Sequence, residues 1–518
     1  MKVQSLPQLL LSAAVVCFGM ISLRCLAELH KVNVQFQDFQ YSFLPWPASE
    51  PVAGSMAPLA LWLIAYLILL MLTCCVEGKG GLSKSNILFL RVSGSVTAAL
   101  SASINPYHST DFYGYIAFGR EIAVHGQSPY LVFLNYFKSD PLIANTRYYW
   151  TFYPPIYGPF ALVVFALPSL LGADTLASQI AGQKVISLAC YFLSVILLWR
   201  LLRKSEHALP VSALTAVMLN PMMVFLLLVE AHLEVMVLPM LCMLLLSCGK
   251  PLALRGLIWS AALLTKFTTV LYAPLLLLHP RIRKPVDRRE LIQTSASAFS
   301  KILLVSIPVV LAFHFAFEGT ALFGKSMFIA SLKEVQLRAS YVNLGVIQYL
   351  VANVFSSLNL LDFPTSLALA HELGALLFPL AAAAVCWRLI TKSEDSIRCA
   401  AGGFLALYAT FLLTANYVQP WYYTLLLPAG AVSFRKRSEL LWFCVVVSAT
   451  TFSGVFLRMS SGAELFIPLA IMWLSPKALR SLDQIHRAKS GVKFVKDFHI
   501  PPSLKVARGT QGSLKQAC

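Results

Sequence analysis

A polar and aromatic stretch, Ile104 to Pro159, carries several ionisable side chains within an otherwise apolar chain. It contains the segments DFYGYIAFGREIAVHGQSPY and YPPIYGP, and its ionisable residues include Asp111, Arg120, Glu121 and His125. Irregular backbone among membrane helices is tolerated only where protein or water satisfies its polar groups. The stretch therefore predicts a functional site.

Asp111 is the residue of this stretch best suited to proton transfer. It follows a predicted membrane helix closely, and a carboxylate held there could accept the proton of an attacking hydroxyl as a general base. Desolvation near the bilayer would raise its pKa toward the working pH. The alternative is structural, with Thr110 or Asp111 capping the next helix. Arg120 and Glu121 on that helix are interpreted as a local surface pair.

The composition identifies the elements that must position these residues. The chain has 518 residues, of which 58% are hydrophobic and 12% charged, and its mean hydropathy is +0.71. Apolar runs of about eighteen residues or more recur along its length, which predicts an all-α polytopic membrane protein of roughly twelve to fourteen spans.

The distribution of charge and cysteine argues against a nucleic-acid-binding protein, a disulfide-rich protein and a cysteine metal site. The net charge of +18 is distributed in short basic clusters between apolar runs, as the positive-inside rule requires, so we expect no nucleic-acid partner. The 11 cysteines form no CxxC pair, which predicts no disulfide framework and no metal site. A basic start and an apolar core at the N-terminus are interpreted as a retained first helix rather than a signal peptide.

The long outer loop, 105–171, lies between the third and fourth predicted spans. Its last part, 153–171, is apolar enough to cross the membrane. A crossing there would place the basic end of the following helix, about 180–200, on the outer side, against the positive-inside rule. Four prolines within 153–171 also suit a broken helix. We therefore predict a re-entrant or surface-lying segment.

The remaining spans follow at regular intervals. A helix over about 211–229 is predicted to run outward and to place Glu230, His232 and Glu234 at the outer surface. Residues 256–278 have basic flanks at both ends, which fits two short crossings or a dip and leaves the choice open. The other predicted spans are about 7–27, 55–77, 86–104, 235–249, 300–317, 366–391, 399–415, 421–434, 440–457 and 463–475.

These spans predict a single transmembrane domain over 1–476. It would include a second outer loop at 318–361. The basic tail, 477–518, is predicted to be cytoplasmic and disordered and to touch anionic lipid.

The outer loop resembles a known class of enzymes. The string DFYGYIAFGREIAVHGQSPY, followed by YPPIYGPF, is similar to the first outer loop of the GT-C class of membrane glycosyltransferases. Within that class it looks most like the polyprenol-phosphate-mannose-dependent mannosyltransferases. The matching residues are Asp111, Tyr113 or Tyr115, Gly119, Gly126, Pro129, Tyr130, Tyr157, Gly158 and Pro159. The resemblance implies a GT-C-like fold with Asp111 as the catalytic base.

Three later segments fit the same class. LNPMMVFLLLVEAHLEV resembles a family segment that more commonly ends His-Asn-Asp, whereas this chain has His232, Leu233 and Glu234. The LTK segment with Lys266 and the QPWY segment with Trp421 also match. By these similarities we expect donor or acceptor binding by Tyr113, Tyr115, Tyr157, His232, Glu234, Lys266, Trp421 and Tyr422.

Several of these residues have simpler interpretations. Lys266 could snorkel to the interface, although a lysine with apolar neighbours on both sides is often functional. His232 and Glu234 could pair with each other, and the aromatic residues of QPWY could belong to an interfacial belt. Arg338 on the second outer loop is a candidate for the donor phosphate, because guanidinium groups bind phosphate through several donors; otherwise it is solvated.

The expected function is transfer of a hexose, by resemblance mannose, from a polyprenyl-phosphate sugar to a hydroxyl of a lipid-linked or glycan acceptor. Members of the resembled family invert the anomeric carbon in one displacement. We expect no cofactor, and nothing in the sequence requires a divalent metal. No Rossmann or P-loop fingerprint is present in the sequence. We expect a multi-pass protein of a bacterial plasma membrane with its site on the periplasmic or outer side. The alternatives are a secondary transporter or lipid flippase, although the sequence has no inverted repeat, and an inactive relative kept as a partner subunit.

Overall fold

The computed structural model describes residues 6–36, 49–79, 82–107, 109–144, 146, 151–152, 154–276, 288–318, 346–391, 396–415 and 418–457. These residues lie within one compact unit, Met1–Ile471. Arg338, most of the second outer loop, the predicted span at 463–475 and the tail 477–518 lie outside the described residues.

The described part of the chain contains helices and no β-strand, so the predicted all-α class is confirmed. The N-terminal part ends with a short helix that starts at Pro159, where the missing N–H of proline costs no helical hydrogen bond. Its helices are α1 (Leu6–Phe36), α2 (Ser49–Glu77), α3 (Lys84–Ala102), α4 (Asp111–Ala123), a 3-10 helix (Leu134–Phe137), α5 (Pro141–Ala144) and α6 (Pro159–Leu170).

The middle of the chain begins with a long helix whose first turn is closed by a reciprocal capping box between Thr175 and Ser178. Its helices are α7 (Leu176–Lys204), α8 (Pro210–Met218), α9 (Pro221–Val224), a π-helix (Phe225–Val229), α10 (Glu234–Leu246), α11 (Leu252–Leu263), a 3-10 helix (Phe267–Tyr272), α12 (Ala273–Leu276) and α13 (Arg288–Glu318).

The C-terminal part is also helical and includes a third short 3-10 helix. Its helices are α14 (Val346–Ser357), α15 (Phe363–Thr391), α16 (Ser396–Thr414), a 3-10 helix (Pro420–Leu425), α17 (Leu426–Ser433), α18 (Arg437–Phe452) and a π-helix (Ser453–Leu457).

Seven helices among the described residues are long and apolar enough to cross a membrane, or eight if α8 and the segment Pro221–Val229, bent by 45°, form one span. The chain is therefore a polytopic integral membrane protein, as predicted. The count of twelve to fourteen spans remains a prediction.

The length of helix α6 can be compared with the prediction that residues 153–171 form a re-entrant or surface-lying segment. It has 12 residues, so it is roughly 18 Å long at 1.5 Å per residue, short of the roughly 30 Å hydrocarbon core. It packs against α4, the helix that begins with Asp111. This length supports a segment that does not cross the membrane. The re-entrant topology itself remains a prediction.

The centre of the fold is the interrupted segment that includes α9 and the π-helix. Every residue from 212 to 242 is buried. Helix α10 packs against α7, and the loop before α4 lies against this segment. Polar residues carried by it are therefore enclosed by protein.

Candidate active site

Asp111 is the first residue of α4, and its carboxylate is shielded but reachable. Its side chain keeps 22% of its surface exposed. Its backbone N–H donates to Ser109 Oγ over 3.2 Å. Thr110 occupies the N-cap position but makes no side-chain capping bond. The structure thus gives no support to capping by Thr110.

His232 lies beside Asp111 and is fixed by an aromatic neighbour. Its Nδ1 is 3.8 Å from Asp111 Oδ2, which is longer than a hydrogen bond. Its ring stacks on Trp421, with centroids 3.8 Å apart and planes 16° apart. Ala231, just before it, has a φ of 50°, a conformation that non-glycine residues rarely adopt and that concentrates at functional sites. This sharp turn directs the chain from the π-helix into α10.

Glu234, which is buried, and Lys266, which is partly buried, form an ion pair at the same site. Lys266 Nζ donates to Glu234 Oε1, and the two side chains are 12% and 1% exposed, respectively. The ammonium also lies 4.2 Å from the centre of the Tyr422 ring, a cation–π contact. Lys266 therefore does not snorkel to the surface, and its charge is compensated within the protein.

The backbone around Lys266 is held by the end of the outer loop. Gly158 N–H donates to Thr265 O over 3.0 Å, and Phe160 N–H donates to Leu264 O over 2.9 Å. A Cβ atom at Gly158 would lie 2.1 Å from Leu264 O, so only glycine permits this approach. The YGP segment thereby positions the break between α11 and the 3-10 helix at which Lys266 lies.

Tyr115 and Tyr157 form an aromatic cluster with Phe165. Tyr115 stacks on Phe165 of α6, with centroids 4.4 Å apart and planes 11° apart. Tyr157 meets the Tyr115 ring edge-on at 5.0 Å. The Tyr115 hydroxyl also accepts the backbone N–H of Leu233 over 3.3 Å. This contact joins α4 directly to the turn that carries His232.

Two predicted site residues are not placed in this group. Tyr113 donates its hydroxyl to Pro106 O over 3.0 Å, which folds the segment before Asp111 back on α4. Arg338 lies outside the described residues. The structure brings together Asp111, Tyr115, Tyr157, His232, Glu234, Lys266, Trp421 and Tyr422.

The acidic and imidazole groups of the VEAHLEV segment are more enclosed than the sequence predicts. Glu230, His232 and Glu234 are each 1% exposed, so their predicted position at the outer surface is wrong. The reason is that the segment runs through the centre of the fold, and the outer loop covers it. Asp111 is thus more accessible than Glu230 or Glu234.

The surroundings of Asp111 raise its pKa. Burial is the largest cause and raises the pKa of this carboxyl to about 6. The positive charge of Lys266 lowers it, the negative charge of Glu234 raises it, and the hydroxyl of Ser109 lowers it. A carboxyl group whose pKa is raised toward 7 in a partly closed site is typical of a general base.

Sequence reasoning did not find Lys184 and gave Glu230 no role of its own. Lys184 of α7 is 5% exposed and donates to the carbonyl oxygens of Leu228 and Val229. Glu230 accepts backbone N–H groups from the loop before Asp111. A lysine inside an apolar span was the signal that could have identified Lys184.

Arg120 and Glu121 do not form the predicted surface pair. Arg120 is 7% exposed and binds Asp140, with Nη2 2.8 Å from Oδ2; His125 Nε2 lies 3.2 Å from the same oxygen. Glu121 is fully buried, and neither of its carboxylate oxygens has a hydrogen-bond partner among the described residues. Consecutive residues on a helix point in different directions, and the packing of α4 encloses both.

Replacing Glu121 with leucine is expected to stabilise the protein by about 1 to 3 kcal/mol, because the buried carboxyl lacks a partner. Burial raises the pKa of Glu121 to about 8 from 4.5. The folded state therefore binds this proton more tightly, so wild-type stability should fall as the pH rises from about 4.5 through about 8. Thermal unfolding across this range should show that slope in wild type and a smaller one in E121L. An unfolding temperature of E121L below that of E121Q would contradict the expectation.

No cluster of three or more His, Cys, Asp or Glu side chains that could hold a metal ion occurs in the described part of the chain. The site offers one reachable carboxylate, a partly buried lysine, a fixed imidazole and several tyrosines. Such a set can accept a proton and can present aromatic faces and cationic charge to a ligand.

Comparison with known proteins identifies one family model that matches part of the chain. Residues 38–280, just under half of the chain, match the model of the MptA_B family, described as alpha-(1->6)-mannopyranosyltransferase, N-terminal domain. No curated protein and no solved structure matches the chain. The matched range includes Asp111, the VEAHLEV segment and Lys266. The family match confirms the predicted resemblance to a family of mannosyltransferases.

Proposed function

Because residues 38–280 carry the N-terminal domain of a mannopyranosyltransferase family, we propose that this membrane mannosyltransferase transfers mannose from a polyprenyl-phosphate donor to an acceptor hydroxyl. The acceptor would be a glycan or glycolipid at the outer face of the membrane. The observation that carries the proposal is the reachable Asp111 carboxylate beside partly buried Lys266 and buried Glu234 and His232. A lipid-borne donor suits a site enclosed by membrane helices.

The proposed reaction is a single displacement. Asp111 accepts the proton of the acceptor hydroxyl while its oxygen bonds to the anomeric carbon of mannose. The bond from that carbon to the phosphate oxygen breaks, and the polyprenyl phosphate leaves with the electron pair. The family description names an alpha-(1->6) linkage. An inverting reaction that forms an alpha bond requires a beta-linked donor and, for this linkage, a C6 hydroxyl on the acceptor.

Lys266, Trp421 and Tyr422 are proposed to bind the substrates. The Lys266 ammonium is held in place by Glu234 and Tyr422. An ammonium has three N–H donors, so Lys266 can also donate to the oxygen of a leaving phosphate. Aromatic faces such as that of Trp421 pack well against sugar rings and lipid chains. Arg338 remains a proposed phosphate ligand from the second outer loop.

The test is a transfer assay with the full-length purified protein in liposomes. Radiolabelled mannose should move from polyprenyl-phosphate mannose to a mannan or mannolipid acceptor, and methylation analysis should find 6-substituted mannose. A nucleotide-linked mannose serves as the control donor and should give no product. Transfer only from the nucleotide donor, or no binding of any polyprenyl-phosphate sugar, would overturn the proposal.

The pH dependence of transfer should reflect the environment of Asp111. A general base works only in its ionised form, and burial raises its pKa to about 6. We expect kcat/KM to fall as the pH drops through about 6, by about tenfold for each further unit. A profile measured in liposomes buffered from pH 4 to pH 8 checks this. An acid limb near pH 4 would show an unshifted carboxylate instead.

A further inference from the structure

Glu230 holds the segment that leads into Asp111. Its Oε1 accepts the backbone N–H of Tyr107 over 3.2 Å, and its Oε2 accepts the backbone N–H of Ser109 over 2.8 Å. Both donors precede α4 and have no helical partner. Hydrogen bonds from N–H groups to an ionised carboxylate are among the stronger ones in proteins. The carboxylate therefore fixes an irregular segment at two points.

Ser109, which Glu230 holds, is in turn hydrogen-bonded to Asp111. The Ser109 hydroxyl oxygen accepts the backbone N–H of Asp111 over 3.2 Å. The other end of the segment is also held, because the hydroxyl groups of Tyr107 and Ser55 lie 2.9 Å apart. A displacement of the Glu230 carboxylate would therefore move Ser109 and, with it, the start of α4.

Lys184 explains why a carboxylate is stable at this position. Its ammonium, 5% exposed, donates to Leu228 O and Val229 O. These carbonyls belong to the end of the π-helix, where helical acceptors lose their partners. Glu230 directly follows Val229 in the chain, so its negative charge acts on the Lys184 ammonium that Val229 O holds. Buried opposite charges compensate each other, whereas either one alone would be costly.

We propose that Glu230 and Lys184 form a positioning pair that holds Tyr107 and Ser109, and thereby sets the direction of the Asp111 carboxylate toward the reacting hydroxyl. This inference rests on the proposed function for its catalytic consequence. Glu230 is 1% exposed, so it acts through the backbone and not by contact with substrate.

The first test compares two matched substitutions, Glu230→Gln and Glu77→Gln. Glu77 is the control because it also accepts two backbone N–H groups, from Val211 over 2.9 Å and Ser212 over 2.8 Å, at the start of α8. Misplacement of a catalytic group by about 1 Å can cost about a hundredfold. We expect E230Q to lose about a hundredfold in kcat with KM changed less than about threefold, and E77Q to keep kcat.

The pH profile separates positioning from general loss of structure. Release of the segment would let water reach Asp111 and return its pKa toward the ordinary 3.8 from about 6. The acid limb of kcat/KM should then move to lower pH in E230Q and stay in place in E77Q. A kcat and a pH limb in E230Q equal to those of E77Q would overturn the proposal.

Amide hydrogen exchange provides a readout that needs no activity. The N–H groups of Tyr107 and Ser109 should be protected in wild type and exchange faster in E230Q. If wild type transfers no mannose, the proposed function fails and this exchange alone decides the positioning role. Should E230Q not fold, the double variant K184M/E230Q, which removes both charges, replaces it. Fast exchange of both amides in wild type would overturn the proposal whatever the variants do.

Discussion

Replacing Asp111 with asparagine is expected to reduce mannose transfer by about a thousandfold. Asparagine keeps the size of the side chain but cannot accept a proton, and general base catalysis typically contributes about 10²- to 10⁴-fold. The proton is transferred only in the chemical step, so the loss should appear in kcat with donor binding retained. Single-turnover transfer from labelled polyprenyl-phosphate mannose measures the effect.

The same substitution should not weaken the fold. Burial raises the pKa of Asp111 to about 6, which means that the ionised carboxylate is destabilising at neutral pH relative to the unfolded chain. D111N removes that charge, so its unfolding temperature at pH 7 should equal or exceed that of wild type, with a smaller difference at pH 5. If D111N transfers mannose at the wild-type rate, Asp111 has no catalytic role and its assignment as the general base is wrong.

Replacing Gly119 with alanine is expected to destabilise the protein by at least about 3 kcal/mol. A Cβ atom there would lie 2.1 Å from Phe165 O and 2.9 Å from Ala166 N. These are backbone atoms of α6, which cannot turn aside as a flexible side chain can, and overpacking of this kind costs about 1 to 3 kcal/mol or more. Helix α4 would have to move away from α6, and Asp111 with it. Thermal unfolding in detergent and the yield of folded protein measure the loss.

Gly402 provides the matched control for this substitution. It also lies within a helix, and the nearest atom to a Cβ there would be Ser433 Oγ at 3.8 Å, an ordinary contact. G402A should therefore be neutral or slightly stabilising, since alanine favours helix by about 1 kcal/mol over glycine. Equal unfolding temperatures of G119A and G402A would contradict the close contact between α4 and α6.

The ionisable residues of the site could be found from the sequence because charge is rare in an apolar chain. Asp111, Lys266 and Glu234 each interrupt or border an apolar run, and such positions are costly unless they serve a purpose. The fold class followed from the same apolar runs. What the sequence could not give was the pairing of these charges, because the partners lie far apart along the chain.

Helix packing explains the predictions that were wrong. The sequence suggested a surface pair of Arg120 and Glu121, because a short helix in a loop is usually solvated. In the structure α4 packs against α6 and other elements, and both residues are buried. Glu230 likewise followed an apolar run and was expected at the outer surface, but the loop before α4 folds over it.

By itself the sequence determined that this protein is helical, that it is embedded in a membrane and that it has a polar loop containing Asp111. Those properties depend on the composition and periodicity of local segments, which any bilayer-spanning structure must obey. Only the tertiary structure decided that breaks in separate helices meet, so that Asp111 faces His232 while Lys266 pairs with Glu234. The physical reason is that an interrupted helix leaves backbone N–H and C=O groups without helical partners. Groups at one break therefore form hydrogen bonds with groups at another break elsewhere in the fold.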